Sequence, residues 1–290
     1  MSTRVAACHV SSIFLSASKT TQKAISLIHK ATINNAHLVV FPGTYIPAFP
    51  LWSALRAPTE NHALFERMLA ELIHADGPEI DAIRSAAKEA RVLRSVLNHH
   101  RKLMPTFFKK LTWAPGDGHG LRVSHTAHGN IGNLICGENT NPLARHSLIA
   151  QAEQIHISTW PAIWPTRLPS ESFGGERNSD NVAANRTRTA AHCFEAKCFG
   201  VLCAGVLGPD AVEMNALVGS SRGASMFLDP PGATHPAFVV DENGENIETE
   251  FLQSEEGILY ADFVSERCVE GKQYHDVVGG YQRLDVFDLR

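Results

Sequence analysis

The chain has 290 residues, of which 44% are hydrophobic and 19% are charged, so it can bury a large core and is not disordered by composition. Its 26 basic and 30 acidic residues give a formal net charge of −4 without a basic block, which argues against nucleic acid as a partner. No apolar run approaches the roughly 20 residues of a membrane span, and no signal-peptide pattern is present, so we expect no membrane association and a cytoplasmic location. Six scattered cysteines form neither a disulfide framework nor a zinc-like cluster, so we expect no metal and no cofactor.

Strands and helices alternate in the first third of the chain. Ala24, Leu27, Ile28 and Ala31 recur at helical spacing, and the short apolar run 38–41 is typical of a strand buried on both faces. The elements predicted here are a strand over 4–10, a helix over 19–34, a strand over 38–41, and helices over 64–73 and 78–90.

The same alternation continues to the end of the chain. Predicted strands cover 130–136, 154–158, 199–204, 225–228 and 257–262, and predicted helices cover 142–151 and 178–197. This order predicts an α/β fold with layered sheets, and because no linker or repeat divides it, we expect one domain over residues 1–290. The rhythm breaks once, between Ala90 and Asn98, where the segment 92–97 leaves room for one strand at most.

Cys136 is the first candidate for chemistry. It stands at the end of the predicted strand 130–136, directly before Gly137 and a predicted helix. Sites form at the carboxyl edge of an α/β sheet, and the N–H groups and dipole of a helix start favour a thiolate there. A lone cysteine is also often a small buried hydrophobe, so its position alone leaves both interpretations open.

The residues around Cys136, from Gly132 to Asn139, resemble the nucleophile segment of the nitrilases. Segments that resemble further nitrilase motifs, in the family's order, are 38–50, 100–106 around Lys102, 113–118, 154–161, 276–279 and 281–283. The resemblance covers almost the whole chain and implies a single-domain, four-layer α-β-β-α sandwich. The sequences of these segments are most similar to those of fungal and bacterial nitrilases that act on aromatic or arylaliphatic nitriles.

The resemblance implies a role for each matching residue. The Cys136 thiolate would attack a small-molecule nitrile to form a thioimidate, and two waters would then release ammonia and the acid by way of a thioester. Lys102 would stabilise the developing negative charge, and Trp160 and Glu138 would bind the substrate. The family uses neither a cofactor nor a metal, and it assembles into dimers or longer spirals, so a homo-oligomer is implied.

Among the positions that depart from the nitrilase pattern, two concern family glutamates. Gly43 follows Phe41-Pro42 where the family has its general-base glutamate, and Lys109 stands where a second glutamate is expected. The loss of one general base lowers a rate by roughly 10²–10⁴. An added cation beside Cys136 favours the thiolate. We therefore expect a reactive thiol with poor turnover, and we consider Glu138 and Glu195 as replacements for the base, although each is also typical of a structural carboxylate.

Several interpretations follow from these features. The first is a working nitrilase-type hydrolase, and the second is an inactive relative that acts by binding or co-assembly. A third is that a mispredicted splice boundary removed a block near 91–98, or that the chain is altered or decayed. An amidase is the weaker enzymatic alternative, because the aromatic-rich segment 160–165 resembles nitrilases more closely.

Overall fold

The computed structural model describes residues 2–90, 96–164, 180–215 and 222–287. The strands are β1 (Ser2–His9), β2 (Leu38–Val40), β3 (Ser124–Thr126), β4 (Gly129–Ile135), β5 (Ile155–Trp160), β6 (Phe199–Ala204), β7 (Ser225–Leu228), β8 (Phe238–Val240), β9 (Asn246–Glu248), β10 (Phe251–Leu252) and β11 (Gly257–Val264). The α-helices are α1 (Ala17–Ile33), α2 (Trp52–Leu55), α3 (His62–Ala70), α4 (Pro78–Glu89), α5 (Pro142–Ile149), α6 (Asn181–Ala196), α7 (Pro209–Asn215) and α8 (Arg267–Glu270). None of these helices is both long enough and apolar enough to cross a membrane.

The strands form two sheets. The first sheet has the order β2-β1-β11-β8-β9, and the second has the order β10-β7-β6-β5-β4-β3. In the second sheet β4, β5 and β6 are parallel neighbours, so their carboxyl ends meet at one edge. In the first sheet β1 pairs with β2 in parallel and with β11 antiparallel along its whole length.

The main core lies between the two sheets. Val5 and Ala7 of β1 face it from the first sheet, and Val201 and Cys203 of β6 face it from the second, all fully buried. Their neighbours at alternate positions point the other way, because successive side chains of a strand lie on opposite faces. Each sheet is therefore apolar on both faces and requires a cover on its outer side.

Helices supply that cover. Ala24 and Ala31 of α1 pack on Ala6 and Cys8 of β1, and α4 packs beside α1. On the other side, Cys193 of α6 packs in one cluster with residues of β6 and β7. The four layers confirm the predicted α-β-β-α sandwich.

The predicted long elements are confirmed with shifts of a few residues at their ends. Strands β3, β8, β9 and β10 were not predicted, because segments of two or three residues are too short to show a strand periodicity. The break near 91–98 falls largely on residues 91–95, which lie outside the described part of the chain. Val96 and Leu97 belong to no strand, and β2 forms the edge of the first sheet as the structure describes it.

Candidate active site

Cys136 directly follows β4 and begins a 3₁₀ helix, Cys136–Thr140. Its φ is +54°, a left-handed conformation that costs free energy in a residue with a side chain. The buried Asn139 amide holds the turn, donating one N–H to the carbonyl of Leu134 at 3.1 Å and another to that of Cys136 at 2.9 Å. The turn lies beside the carboxyl edge of the parallel strands, where α/β proteins form sites.

Glu138 ties this turn to the segment that carries Lys102. Its carboxylate accepts bonds from the backbone N–H of Ile135 at 2.9 Å, the backbone N–H of Leu103 at 2.5 Å and the ring of His100 at 3.0 Å. Burial by itself would raise the pKa of Glu138, but the hydrogen bonds outweigh it and hold the pKa below its ordinary value. Glu138 therefore has a positioning role.

Lys102 lies on that anchored segment and lines the same cavity as Cys136. Burial lowers the pKa of Lys102, and the charge of Lys109 acts in the same direction, while Cys136 opposes both. The Lys102 carbonyl accepts the N–H of Gly116 at 2.8 Å. A Cβ at Gly116 would lie 2.7 Å from that carbonyl oxygen, so this close approach requires glycine.

Lys109 approaches the same sulfur from the 3₁₀ helix Phe107–Leu111. Its Nζ lies 3.4 Å from Cys136 Sγ and 5.4 Å from the centre of the Phe49 ring. The ammonium groups of Lys102 and Lys109 thus share one cavity with the Cys136 thiol, an arrangement that stabilises negative charge on sulfur or on a group bound to it.

A cavity of about 360 Å³ opens in front of the Cys136 thiol. Its walls are mostly apolar. Besides Cys136, the described lining residues are Gly43, Thr44, Phe49, Arg101, Lys102, Pro105, Lys109, Trp113, Ala114, Ile135 and Pro161. They include three cationic side chains and no Asp, Glu or His, so the described part of the wall offers no general base.

Gly43 lies on the opposite wall from the lysine segment and donates its N–H to the carbonyl of Trp160 at 3.1 Å. A Cβ built at Gly43 would meet only backbone atoms of Thr159 and Trp160, all at 3.4 Å, which is ordinary van der Waals contact. The backbone there does not require glycine. Volume that a longer side chain could occupy is left open to the cavity.

Two expected substrate-binding residues do not line the cavity. Trp160 is 4% exposed, its indole N–H donates to Ser158 Oγ at 2.9 Å, and it contributes to the site only through its backbone carbonyl. Glu138 is 5% exposed and points at backbone donors. Glu195, considered as a replacement base, forms two hydrogen bonds with Arg145 at 2.8 and 3.0 Å and lies away from the wall. All three residues thus lie outside the described lining of the cavity.

A buried network behind the thiol was not predicted from the sequence. His156 bridges Glu153 at 2.9 Å and Asn139 at 2.8 Å, and His192 contacts the other oxygen of Glu153 at 2.5 Å. Glu153, His156 and His192 bring ligand-type atoms within 4.8 Å of one another. These groups already hydrogen bond with each other, so a metal would have to replace existing bonds. The sequence feature that could have indicated this network is a glutamate and a histidine three residues apart at the start of an apolar strand.

Two solved structures share the fold of this chain. A carbon-nitrogen hydrolase from Helicobacter pylori G27 superposes with a TM-score of 0.72 at 16% identity, over 99% of this chain and 97% of that one. Nit3 of Saccharomyces cerevisiae, a member of branch 10 of the nitrilase superfamily, gives 0.68 at 14% identity, over 99% and 97%. The layered fold is thus that of the nitrilase superfamily.

Sequence similarity defines the lineage further. The model of the carbon-nitrogen hydrolase family matches residues 93–273, and the chain belongs to that family, whose members are hydrolases of carbon–nitrogen bonds. It is 29% identical to a nitrilase of Pseudomonas syringae pv. syringae over 99% of this chain and 88% of that protein. It is 28% identical to an arylacetonitrilase of Hypocrea virens over 99% and 90%, and 26% identical to an aliphatic nitrilase of Rhodococcus rhodochrous over 99% and 81%.

Proposed function

We propose that the protein hydrolyses nitriles to carboxylic acids and ammonia, with Cys136 as the nucleophile and Lys102 as the cation that stabilises developing charge. The observation that carries the proposal is that Lys109 contacts the Cys136 thiol and Lys102 lines the same mostly apolar cavity. The resemblance to nitrilases and arylacetonitrilases supports the same reaction.

The proposed reaction has three steps, which are the addition of the thiolate and two successive reactions with water. The thiolate adds to the nitrile carbon and gives a thioimidate, whose nitrogen takes a proton. Water then displaces ammonia to leave a thioester, and a second water releases the acid and restores the thiol. Lys102 lines the cavity with Cys136, where its ammonium would face the nitrogen and later the oxygen as negative charge develops.

The walls favour an aromatic or arylaliphatic substrate. Phe49 and Trp113 present aromatic rings to the cavity, and their centroids lie 5.9 Å apart. Flat apolar groups pack well against such faces. Trp160 is absent from the described lining, and this proposal leaves its side chain out of the substrate site.

The alternative function is binding or co-assembly without turnover. The observation that favours it is the lack of a carboxylate or imidazole in the described wall, because every step needs a group that moves protons. On either proposal we expect lower activity than a site with a carboxylate at position 43 would have.

The test is ammonia release from a panel of benzonitriles and arylacetonitriles by size-fractionated protein, beside its Cys136→Ala variant. Release that disappears in the variant supports the hydrolase. Absence of release from folded wild-type protein would reject it in favour of the binding alternative.

We also propose one domain over residues 1–290 and a homo-oligomer, either a dimer or a spiral, formed through the helices that flank the second sheet. Leu143 of α5 and Phe194 of α6 support this surface, because they are 58% and 48% exposed although apolar. Light scattering after size exclusion would give the assembly size, and Leu143→Glu should reduce it.

A further inference from the structure

The charge in the Cys136 cavity is not balanced by the described protein. Arg101 at the rim forms an ion pair with the exposed Asp117. Lys102 and Lys109, by contrast, form no ion pair with any carboxylate in the described ranges, and both are half-buried. The Glu138 carboxylate acts on Lys102 from outside the described wall, but it is already paired with His100, so within that wall a Cys136 thiolate would be the one negative charge beside two ammonium groups.

Unpaired positive charge in a partly buried site raises the free energy of the folded protein unless a bound anion neutralises it. Partly buried cations without partners lose hydration that the protein does not replace. Lys109 Nζ has the Cys136 sulfur on one side and the Phe49 ring on the other, and neither fully substitutes for a carboxylate. The ligand of this cavity should therefore supply a negative charge.

The remainder of the wall defines the rest of the ligand. Phe49, Trp113, Pro105 and Pro161 are flat or rigid apolar surfaces, and the volume of about 360 Å³ suits a single substituted ring. An inorganic anion would leave these surfaces unused, and a neutral arene would leave the lysines unpaired. We propose that the cavity binds small aryl carboxylates through Lys109, and that the nitriles it hydrolyses carry such a carboxylate beside the nitrile group. The second half rests on the proposed nitrile hydrolysis, and the first does not.

The bound carboxylate would supply the missing proton carrier. Paired with Lys109, whose Nζ is 3.4 Å from Sγ, it lies next to the reacting sulfur. It first takes the thiol proton to give the thiolate, and as the S–C bond forms it passes that proton to the nitrile nitrogen, which gives the thioimidate. It then transfers both protons of the first water to the nitrogen, one as the hydroxyl adds to carbon and one as the carbonyl forms, so that ammonia leaves as the C–N bond breaks and a thioester remains. The second water is deprotonated in the same way, the S–C bond breaks, and the thiol regains a proton.

Binding is measured first, by calorimetry with benzoate, benzyl alcohol and inorganic phosphate. We expect benzoate to bind more tightly than either of the others, and Lys109→Gln to weaken it by roughly tenfold, because a charge-assisted hydrogen bond is lost. Lys110→Gln is the matched control, since Lys110 is exposed and outside the cavity wall. Lys109→Arg should retain binding. Equal affinities for benzoate and benzyl alcohol, or for benzoate and phosphate, or an unchanged Kd in Lys109→Gln, would overturn the anion site.

Turnover is measured second, with 2-(cyanomethyl)benzoate beside its methyl ester and its para isomer. We expect faster ammonia release from the ortho acid, because only there can the carboxylate pair with Lys109 while the nitrile reaches sulfur. Equal release from the acid and the ester would overturn this inference and leave nitrile hydrolysis intact. Benzoate binding without ammonia release from any nitrile would reject the proposed hydrolysis and keep the anion site.

Discussion

Replacement of Glu138 by alanine should destabilise the protein more than the loss of a surface carboxylate does. The change removes the acceptor of three hydrogen bonds, from Ile135 N–H, Leu103 N–H and the His100 ring, all at a carboxylate that is 4% exposed. An unsatisfied buried donor costs about 1–3 kcal/mol, and breaking a buried charged pair costs about 3–5 kcal/mol. Because water can enter the space that is left, we expect a loss of about 3–5 kcal/mol in the free energy of unfolding.

The assay is urea unfolding followed by tryptophan fluorescence. Glu195→Ala is the control, because it removes the same atoms from a partly exposed pair with Arg145, worth about 1 kcal/mol or less. A loss below about 1 kcal/mol in Glu138→Ala would refute the positioning role, since no buried donor would then depend on this carboxylate.

The same residue predicts a pH dependence with a defined sign. The pKa of Glu138 is held below its ordinary value of 4.5 in the folded state. Its contribution is therefore fully present above 4.5 and is lost as the pH falls through the lower folded pKa. The stability difference between wild type and Glu138→Gln should stay constant from pH 7 to 5 and narrow in more acidic buffer. A difference that widens on acidification would contradict this assignment.

Three further predictions concern the site. Gly43→Glu should fold normally, because a Cβ at this position has its nearest neighbours at 3.4 Å. It should raise ammonia release from benzonitriles by roughly 10²-fold or more, since it adds a general base. A gain no larger than that of Gly43→Gln would count against a role for the carboxylate. Cys136 should react with iodoacetamide at neutral pH faster than an ordinary free thiol, and this reaction should be slower in Lys109→Gln. The rate is measured by mass spectrometry of the folded protein. A rate that does not depend on Lys109 would show that the 3.4 Å contact does not activate the sulfur. Gly116→Ala should displace the Lys102 segment, because its Cβ would lie 2.7 Å from the Lys102 carbonyl oxygen. The free energy of unfolding should fall by about 1–3 kcal/mol. Gly118→Ala is the control and should leave that free energy unchanged, because a Cβ there meets no atom within 4 Å.

The sequence by itself determined the fold class and the position of the thiol. Strands such as Phe199–Ala204 and helices such as Asn181–Ala196 follow from local apolar periodicity, which depends on residues close together in the chain. The turn after β4 also follows locally, since strand, Cys136 and helix start are contiguous. Segments in a fixed order then identified the family, and its model match confirms that identification.

Only the tertiary structure decided which way the side chains at the site point. Glu138 and Trp160 lie in motif segments, yet one faces backbone donors 35 residues away at Leu103 and the other is buried behind the wall. The contact of Lys109 with Cys136 joins residues 27 apart, and the Glu153, His156 and His192 network joins β5 to α6. Such contacts depend on strand register and loop closure across the whole sandwich, which no local pattern encodes. The charge left in the cavity follows from those same long-range placements.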